Sequence, residues 1–447
     1  MPAKPRARAS VPLPILLFAA LATALSVISN QTTILGIDPQ GSARLNGESF
    51  QQSPLITFAS YQYAAFYTST GIYAINHISL ARRQLHGVSA SNWDIITFTD
   101  YNQTTLDGHN TISLGISPGD GSIHISFDHH DVPLNYRHTS PGAANGSAWS
   151  TSVFSPVLHS LPGASDGPYT PLTYPRFEPN PSTGELLFEF RIGQSGNGSS
   201  YIYTYNPTLH SWTQTSEYLR GSNNNAYINS LDYLDNKIHA TWTWRETPDV
   251  VTNHDLCYIY SSDGGKSWRN SAGADIGTFA TPYTAGVTVF NIPQNSGILN
   301  QEGQTVDQEG RVHVLNRENH GTGEYRWWHY WRSAEGNWTR NAIIVDGLGQ
   351  ATATGFRGKL AAVKGELIAV IPEQVSGEIK VLISTAEGGF KVWKEVWRGD
   401  GFAVDPGVDK QRLRMGGNGK WVLSLFARQD GGYPQRKVVV VDLVLAD

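Results

Sequence analysis

An all-β chain folded as a seven-bladed β-propeller of four-stranded antiparallel blades is what the sequence predicts, on three observations. Short β-rich runs alternate with Gly, Asn, Asp and Pro turns, and no window sustains helical periodicity. One hairpin form recurs at intervals of about 40 to 75 residues, which suits blades with loops of variable length. Ser261 to Trp268 also carries the S-x-D-x-G-x-x-W pattern of a turn between the outer strands of a blade.

The chain opens on a targeting pattern. Lys4, Arg6 and Arg8 form a basic head, Pro12 to Leu21 is apolar, and Ala22-Thr23-Ala24 has the small-x-small form read by signal peptidase. The apolar run is short for a membrane span and Pro12 and Pro14 interrupt it, so residues 1–24 are expected to be a cleaved signal peptide. Residues 25–447 are then expected to form a single secreted, extracellular domain that acts as a monomer. Five N-x-S/T sequons, at Asn30, Asn102, Asn145, Asn197 and Asn337, fit a eukaryotic secretory route.

Composition bounds the rest. Charged residues are only 16% of the chain, and 13 Trp and 20 Tyr stand against 2 Met, a mix suited to strands and sugar-stacking surfaces. A net charge of −5 leaves no electrostatic footprint for nucleic acid or an anionic membrane, so an anionic substrate must meet a few local cations. The single cysteine, Cys257, rules out an intrachain disulfide.

Hairpin units begin near residues 57, 109, 171, 226, 300, 353 and 410. Three contain an apolar-His-apolar step after the turn, at His124, His239 and His313, expected to be packing residues. The Ser261–Trp268 turn is an Asp-box: Asp263 ties the loop backbone and Trp268 packs between sheets. Its role is structural.

Residues equidistant from a hairpin turn become cross-strand neighbours at one end of a blade. His109 and His129 flank the turn centred near residue 119, Tyr174 and Arg191 flank Asn180–Gly184, and Tyr227 and Arg245 flank Asp235-Asn236. Consecutive blades thus bring imidazoles, phenols and guanidinium groups to equivalent ends.

The motifs Asp107-Gly108-His109-Asn110, Phe127-Asp128-His129-His130, Tyr174-Pro175-Arg176-Phe177 and Phe190 to Gly196 resemble the BNR-type polysaccharide lyases. These include bacterial ulvan lyases and fungal L-rhamnose-α-1,4-D-glucuronate lyases acting on gum arabic. The resemblance continues through Trp242 to Thr247, His254 to Tyr258 and His313 to Arg317, and weakens over the last two blades. It implies an acidic polysaccharide substrate and a catalytic set of His109, His129, Tyr174 and Arg191. Asn110, His130, Arg220, Tyr227, Arg245 and Arg317 are expected to contact the substrate. In β-elimination from a 4-O-linked uronide, a base removes H5, a cation steadies the carboxylate and an acid protonates O4. Arg191 suits the carboxylate, His109 and Tyr174 the proton transfers in either order, and His129 an assisting role. No cofactor is expected for catalysis; His254, Cys257 and His313 are candidate ligands of a structural zinc or calcium ion, with a buried free thiol as the alternative. A sialidase-like hydrolase and a non-catalytic carbohydrate-binding propeller remain as alternative functions.

Overall fold

The computed structural model describes residue 1 and residues 25–41, 43–48, 52–351, 355–403 and 405–447. The expected signal segment, Met1 apart, lies outside the described residues.

Seven antiparallel sheets account for the strands among the described residues. Six follow one another along the chain, each running outward from an innermost strand: Leu55–Phe58, Ile112–Ile116, Leu172–Pro179, Asn225–Leu234, Gly303–Val306 and Lys359–Val363. Innermost strands of successive sheets contact one another, the arrangement of propeller blades around a channel. The seventh blade closes the ring. Its inner strands, Gly407–Val408, Lys420–Arg428 and Lys437–Ala446, come from the C-terminal end of the chain, and its outermost strand is Ser26–Ile37. Unit starts read from the sequence fall within a few residues of these innermost strands. Blade two has three strands, its outer edge being held by single bridges from Phe154 and Leu158.

The Asp-box lies between the third and fourth strands of blade four. Asp263 accepts from Ser261 Oγ (2.7 Å), Ser267 Oγ (2.6 Å) and the Lys266 and Ser267 amides. Trp268 is fully buried and stacks on Tyr218 of the preceding blade, with ring centroids 5.1 Å apart.

The three repeated histidines are packing residues. His124 sits between Ser122 Oγ (2.8 Å) and Tyr136 Oη (2.5 Å), His239 meets Tyr258 Oη (2.8 Å), and His313 lies between His329 (3.0 Å) and Asp307 (3.1 Å). All three are buried.

Ring closure has a specific bond. Asp442, on Lys437–Ala446, accepts from Ser424 Oγ at 2.5 Å and from Arg83 Nη2 of blade one at 2.6 Å. Arg83 is 2% exposed. Asp442→Ala should therefore cost about 3 to 5 kcal/mol in denaturant unfolding, because it leaves a buried guanidinium uncompensated. A loss below about 1 kcal/mol would show that other acceptors suffice.

Burial also holds His124, His129 and His239 down to about 3, and lowers His313 and His329. As pH falls below about 6.5 the unfolded chain takes up protons that these side chains refuse in the folded state, so stability is lost with acidification. Each of the three held near 3 should cost on the order of 2 kcal/mol between about pH 7 and pH 5. Equal urea midpoints at the two pH values would refute this.

Candidate active site

In every blade the innermost strand starts, and the second strand ends, at the same face of the ring. His109 precedes Ile112–Ile116, Tyr174 and Tyr227 lie near the start of their strands, and Asn300 and Arg357 precede Gly303 and Lys359. His130 follows Ile123–Phe127, while Arg191 lies near the end of Leu186–Gln194 and Arg245 closes Lys237–Arg245, the second strands of blades three and four. Together these side chains line a cavity of about 440 Å³, with Ser195 and Leu299 among the other walls. That is within the ~300–1,000 Å³ usual for ligand clefts.

Blade two supplies the imidazoles. Its ladder pairs Ile112 with Phe127, which makes His130, not His129, the counterpart of His109. The two rings stack with centroids 4.0 Å apart and planes at 24°. Asp107 holds both: Oδ1 is 2.6 Å from His109 Nδ1, and Oδ2 is 2.5 Å from His130 Nδ1. Oδ1 also accepts the His109 backbone N–H at 2.9 Å, so an Asx turn fixes this loop. These hydrogen bonds, His109's first and then His130's, hold the Asp107 carboxyl well below the usual carboxylate range. An ionised carboxylate only accepts, so each Nδ1 carries its hydrogen, and in the neutral imidazoles each Nε2 keeps its lone pair. His129 is instead fully buried: its Nε2 accepts the Asn135 amide at 2.8 Å, and burial keeps the ring neutral. His129 therefore lies outside the cavity, and His130 takes the place beside His109 that the hairpin symmetry assigned to His129. The hairpin centre lies half a residue further along than the turn sequence suggests.

Asn110 is buried rather than facing the cavity. Its Nδ2 donates to Asp128 Oδ1 at 2.6 Å, and Tyr101 Oη donates to Asp128 Oδ2 at 2.5 Å.

Blade three supplies the phenol. Tyr174 lies in a β-bulge between the Thr173–Arg191 and Arg176–Glu189 pairs, with φ at +60°. That is costly for a bulky side chain and recurs at functional sites. The ring reaches His109, centroids 5.9 Å apart, and Tyr227 at 5.8 Å. Burial pushes the phenol up, against the pull of Arg191, Arg357 and Arg245, so it stays protonated.

The arginines divide into two kinds. Arg191 is 3% exposed; its Nη2 donates to Asp131 Oδ1 at 2.7 Å and Thr173 Oγ1 at 2.9 Å, and its guanidinium lies 4.9 Å from the Tyr174 ring centre. It backs Tyr174 and its charge is already met by Asp131, so it is ill placed to grip a substrate carboxylate with both donors. Arg245 donates to the Thr247 and Pro248 carbonyls and, at 3.4 Å, to Tyr227 Oη, and forms no ion pair among the described residues. Tyr227 Oη is in turn 2.7 Å from Ser195 Oγ. Arg357, which the sequence reading missed, donates to the Asn300 carbonyl at 2.6 Å and lies 3.8 Å from Asp405. Its position just before an innermost strand, equivalent to that of His109, was the available signal.

Two expected substrate contacts lie elsewhere. Arg317 is fully buried, paired with Glu302 at 2.6 Å, and donates to the Gly355 and Phe356 carbonyls. It props the segment leading to Arg357. Arg220 pairs with Glu217 at 2.8 Å at the end of blade three's outermost strand and covers Phe279.

The expected metal set does not assemble. Cys257 is buried against Thr288 Oγ1 at 3.6 Å and burial pushes its thiol up; His254 faces Asp255 and Glu246; His313 is held by Asp307 and His329. Among the described residues only Asp107, His109 and His130 have three ligand-type atoms within 4.8 Å of one another, and their mutual hydrogen bonds already engage those atoms. Cys257 fits the buried-thiol alternative.

A second cavity, about 320 Å³, opens on the opposite face beside helix Lys410–Arg414. Its walls are mainly apolar, including Ile56, Leu114, Ile116 and Phe177, with Glu178, Tyr233 and Arg414 as its ionisable groups.

A family model described as a BNR repeat-containing family member matches residues 61–344. The long isoform of ulvan lyase from an Alteromonas species is 25% identical over 259 residues, covering 47% of this chain and 26% of that protein. The short isoform of ulvan lyase from Alteromonas sp. strain LOR is 24% identical over 214 residues, covering 38% and 40%. The chain thus spans well under half the length of these relatives. Among solved structures, the polysaccharide lyase Uly1 aligns with a TM-score of 0.72 over 94% of this chain and 99% of that one, at 17% identity. A PL25 ulvan lyase bound to -[GlcA(1-4)Rha3S]- aligns with a TM-score of 0.64 over 91% and 95%, at 12% identity. At such identities the likeness is one of fold.

The two adjacent histidines should separate on mutation. His130→Ala should lower turnover by about two to four orders of magnitude with an unchanged melting temperature, as for a lost proton-transfer group. His129→Ala should lower the melting temperature, because it leaves a buried cavity and the Asn135 amide without its acceptor. The reverse pattern, in activity assays and thermal melts of both variants, would restore His129 to the site.

Proposed function

The chain belongs to the BNR repeat-containing family, and we propose that it is a secreted polysaccharide lyase that cleaves a 4-O-linked uronate by β-elimination. One observation carries this reading: a carboxylate-bridged pair of imidazoles faces a buried, protonated phenol across a cavity rimmed by guanidinium groups. The likeness to lyases named for ulvan supports it.

Elimination asks three things of the site. A base must take H5 from C5, which is weakly acidic while the neighbouring carboxylate is anionic. The Nε2 lone pair of His109 or His130 serves, since neutral imidazole is a competent base near neutral pH. The charge that develops on the carboxylate oxygens must be met. Arg245 and Arg357 are the guanidinium groups suited to this, with the planar fork that fits a carboxylate. O4 of the departing sugar must be protonated. Tyr174 suits that role, because burial that disfavours phenolate makes it a donor rather than a resting base. The electrons of the C5–H bond form the C4=C5 double bond as C4–O4 breaks. Arg191, behind Tyr174, steadies the phenol as its proton leaves.

The substrate we favour is an L-rhamnose-α-1,4-D-glucuronate unit of a gum arabic-type plant polysaccharide. Support comes from the motif resemblance and from the solved relative carrying a GlcA(1-4)Rha3S unit. The secretory reading rests on the N-terminal pattern and on sequons whose asparagines, Asn30, Asn102, Asn145, Asn197 and Asn337, are all exposed. No helix among the described residues is long and apolar enough to cross a membrane.

Reduction of the substrate's uronate carboxyl to an alcohol should abolish cleavage, because H5 is then no longer acidified. Gum arabic and ulvan, native and carboxyl-reduced, should be compared by ultraviolet absorbance of the unsaturated product and by mass spectrometry. Cleavage of reduced polymer to saturated products would replace the lyase reading with hydrolysis.

A further inference from the structure

We infer that Asp107 is the positioning residue of the site: by bridging both imidazoles it makes His109 and His130 a single one-proton base. The inference rests on the lyase reading for its role in turnover, but its structural content stands apart from any substrate.

Three features of the geometry lead there. Each carboxylate oxygen takes one Nδ1, at 2.6 and 2.5 Å, so neither ring can turn its Nδ1 toward the cavity without breaking a charge-assisted hydrogen bond. Both rings are thereby fixed as Nδ1–H tautomers with Nε2 as the ring atom that can take a proton, and both side chains, each 36% exposed, line the cavity. The rings also stack at 4.0 Å. Two imidazolium ions at that distance repel, whereas one imidazolium beside one neutral ring and one carboxylate is balanced. The pair therefore accepts one proton per turnover. That proton comes from C5–H, bonds to an Nε2 of the pair, and leaves to solvent after product release, while the Tyr174 phenolate, having given its proton to O4, takes one back from solvent.

The loop is built to hold this carboxylate still. Asp107 Oδ1 accepts the His109 amide, and the Asn110 amide donates to the Asp107 carbonyl at 3.1 Å. Gly108 packs on the Arg44 carbonyl and Glu48: a Cβ there would lie 3.3 Å from that oxygen. Other charges face the cluster in balanced sets. Glu48 pairs with Arg44 at 2.6 Å, Asp131 pairs with Arg191 at 2.7 Å, and Asp128 takes its hydrogen bonds from Asn110 and Tyr101. Tyr174 and the Arg357 guanidinium complete the surroundings.

Asp107→Asn is the test, since an amide can accept from one Nδ1–H but presents N–H to the other. One ring must then take the Nε2–H tautomer, accept the amide N–H on Nδ1 and offer N–H to the cavity. We expect kcat to fall by about two to four orders of magnitude, with KM within a few-fold, because the arginine contacts remain. Asp107→Glu should recover part of kcat. Imidazole nitrogen NMR of the substrate-free protein should show two Nδ1–H tautomers in the wild type and only one in Asp107→Asn. An unchanged kcat, or two Nδ1–H rings surviving in the variant, would overturn the inference. A loss of kcat explained wholly by a smaller folded fraction would also overturn it. Wild-type protein that yields no unsaturated product would sink the lyase reading and leave the tautomer result to decide Asp107.

Discussion

The molecule depends on one pairing, that of Ser26–Ile37 with Lys437–Ala446, which joins the two ends of the described fold in a single blade. An open row of sheets would expose an unpaired edge at each end and let the blades splay. Closure removes that freedom, and it forces the starts of all the innermost strands to converge on one face. The site is a consequence. None of its proton-transfer groups is near its partners in sequence except across a hairpin, yet blades two, three, four and six all deliver groups to the same cleft.

Convergence also crowds charge into the ring, and the fold manages this by pairing within and between blades. Asp442 of blade seven meets Arg83 of blade one, Asp38 holds Arg428 at 2.8 Å and Arg436 at 2.7 Å, and Glu302 holds Arg317 at 2.6 Å while accepting the Gly358 amide at 2.9 Å. A lone ion in such a position would cost several kcal/mol, and pairing with full hydrogen bonding offsets it. This explains why an arginine at the end of a second strand is ambiguous in sequence. Arg245 and Arg317 occupy comparable stations in blades four and five, but only Arg317 has a buried carboxylate from its own blade to turn toward. Its two carbonyl contacts then make it a support for Arg357 rather than a ligand of the substrate.

The sequence revealed architecture better than chemistry. Turn punctuation and the Asp-box were enough for the blades, because both report local backbone geometry. Hairpin symmetry brought the right kinds of residue to the right end, but it assumed unbroken ladders. A bulge sits between Thr173 and Arg176 and another between Ile228 and Ser230, so Arg191 pairs with Thr173 and Arg245 with Asn225. Tyr174 and Tyr227 still meet those arginines, ring face to guanidinium, since long side chains span the offset. Histidine tolerated no such slack: a half-residue error in the turn centre exchanged a buried packing ring, His129, for the stacked partner of His109. Asp107 stood in plain view beside His109, but nothing in a single sequence distinguishes an Asx-turn aspartate from one that reaches a second ring.

The charge balance of the cleft gives the arrangement its logic. A chain with net charge −5 needs local cations for an anionic polymer, and three guanidinium groups line this cavity. They are not equivalent. Asp131 cancels Arg191, whose remaining influence is on Tyr174, where it opposes the effect of burial. Arg357 is tied to blade-five and blade-seven partners, Asn300 and Asp405. Arg245 alone of the three lacks a carboxylate partner among the described residues, and its donors are shared with carbonyls and a phenol. An incoming carboxylate would therefore displace no ion pair there, whereas binding at Arg191 would have to compete with Asp131 at 2.7 Å. The site thus separates its two electrostatic tasks in space. In the proposed elimination one arginine tunes the phenol from behind, the other two are placed for the carboxylate, and the imidazole pair stands beside Tyr174 on its own carboxylate.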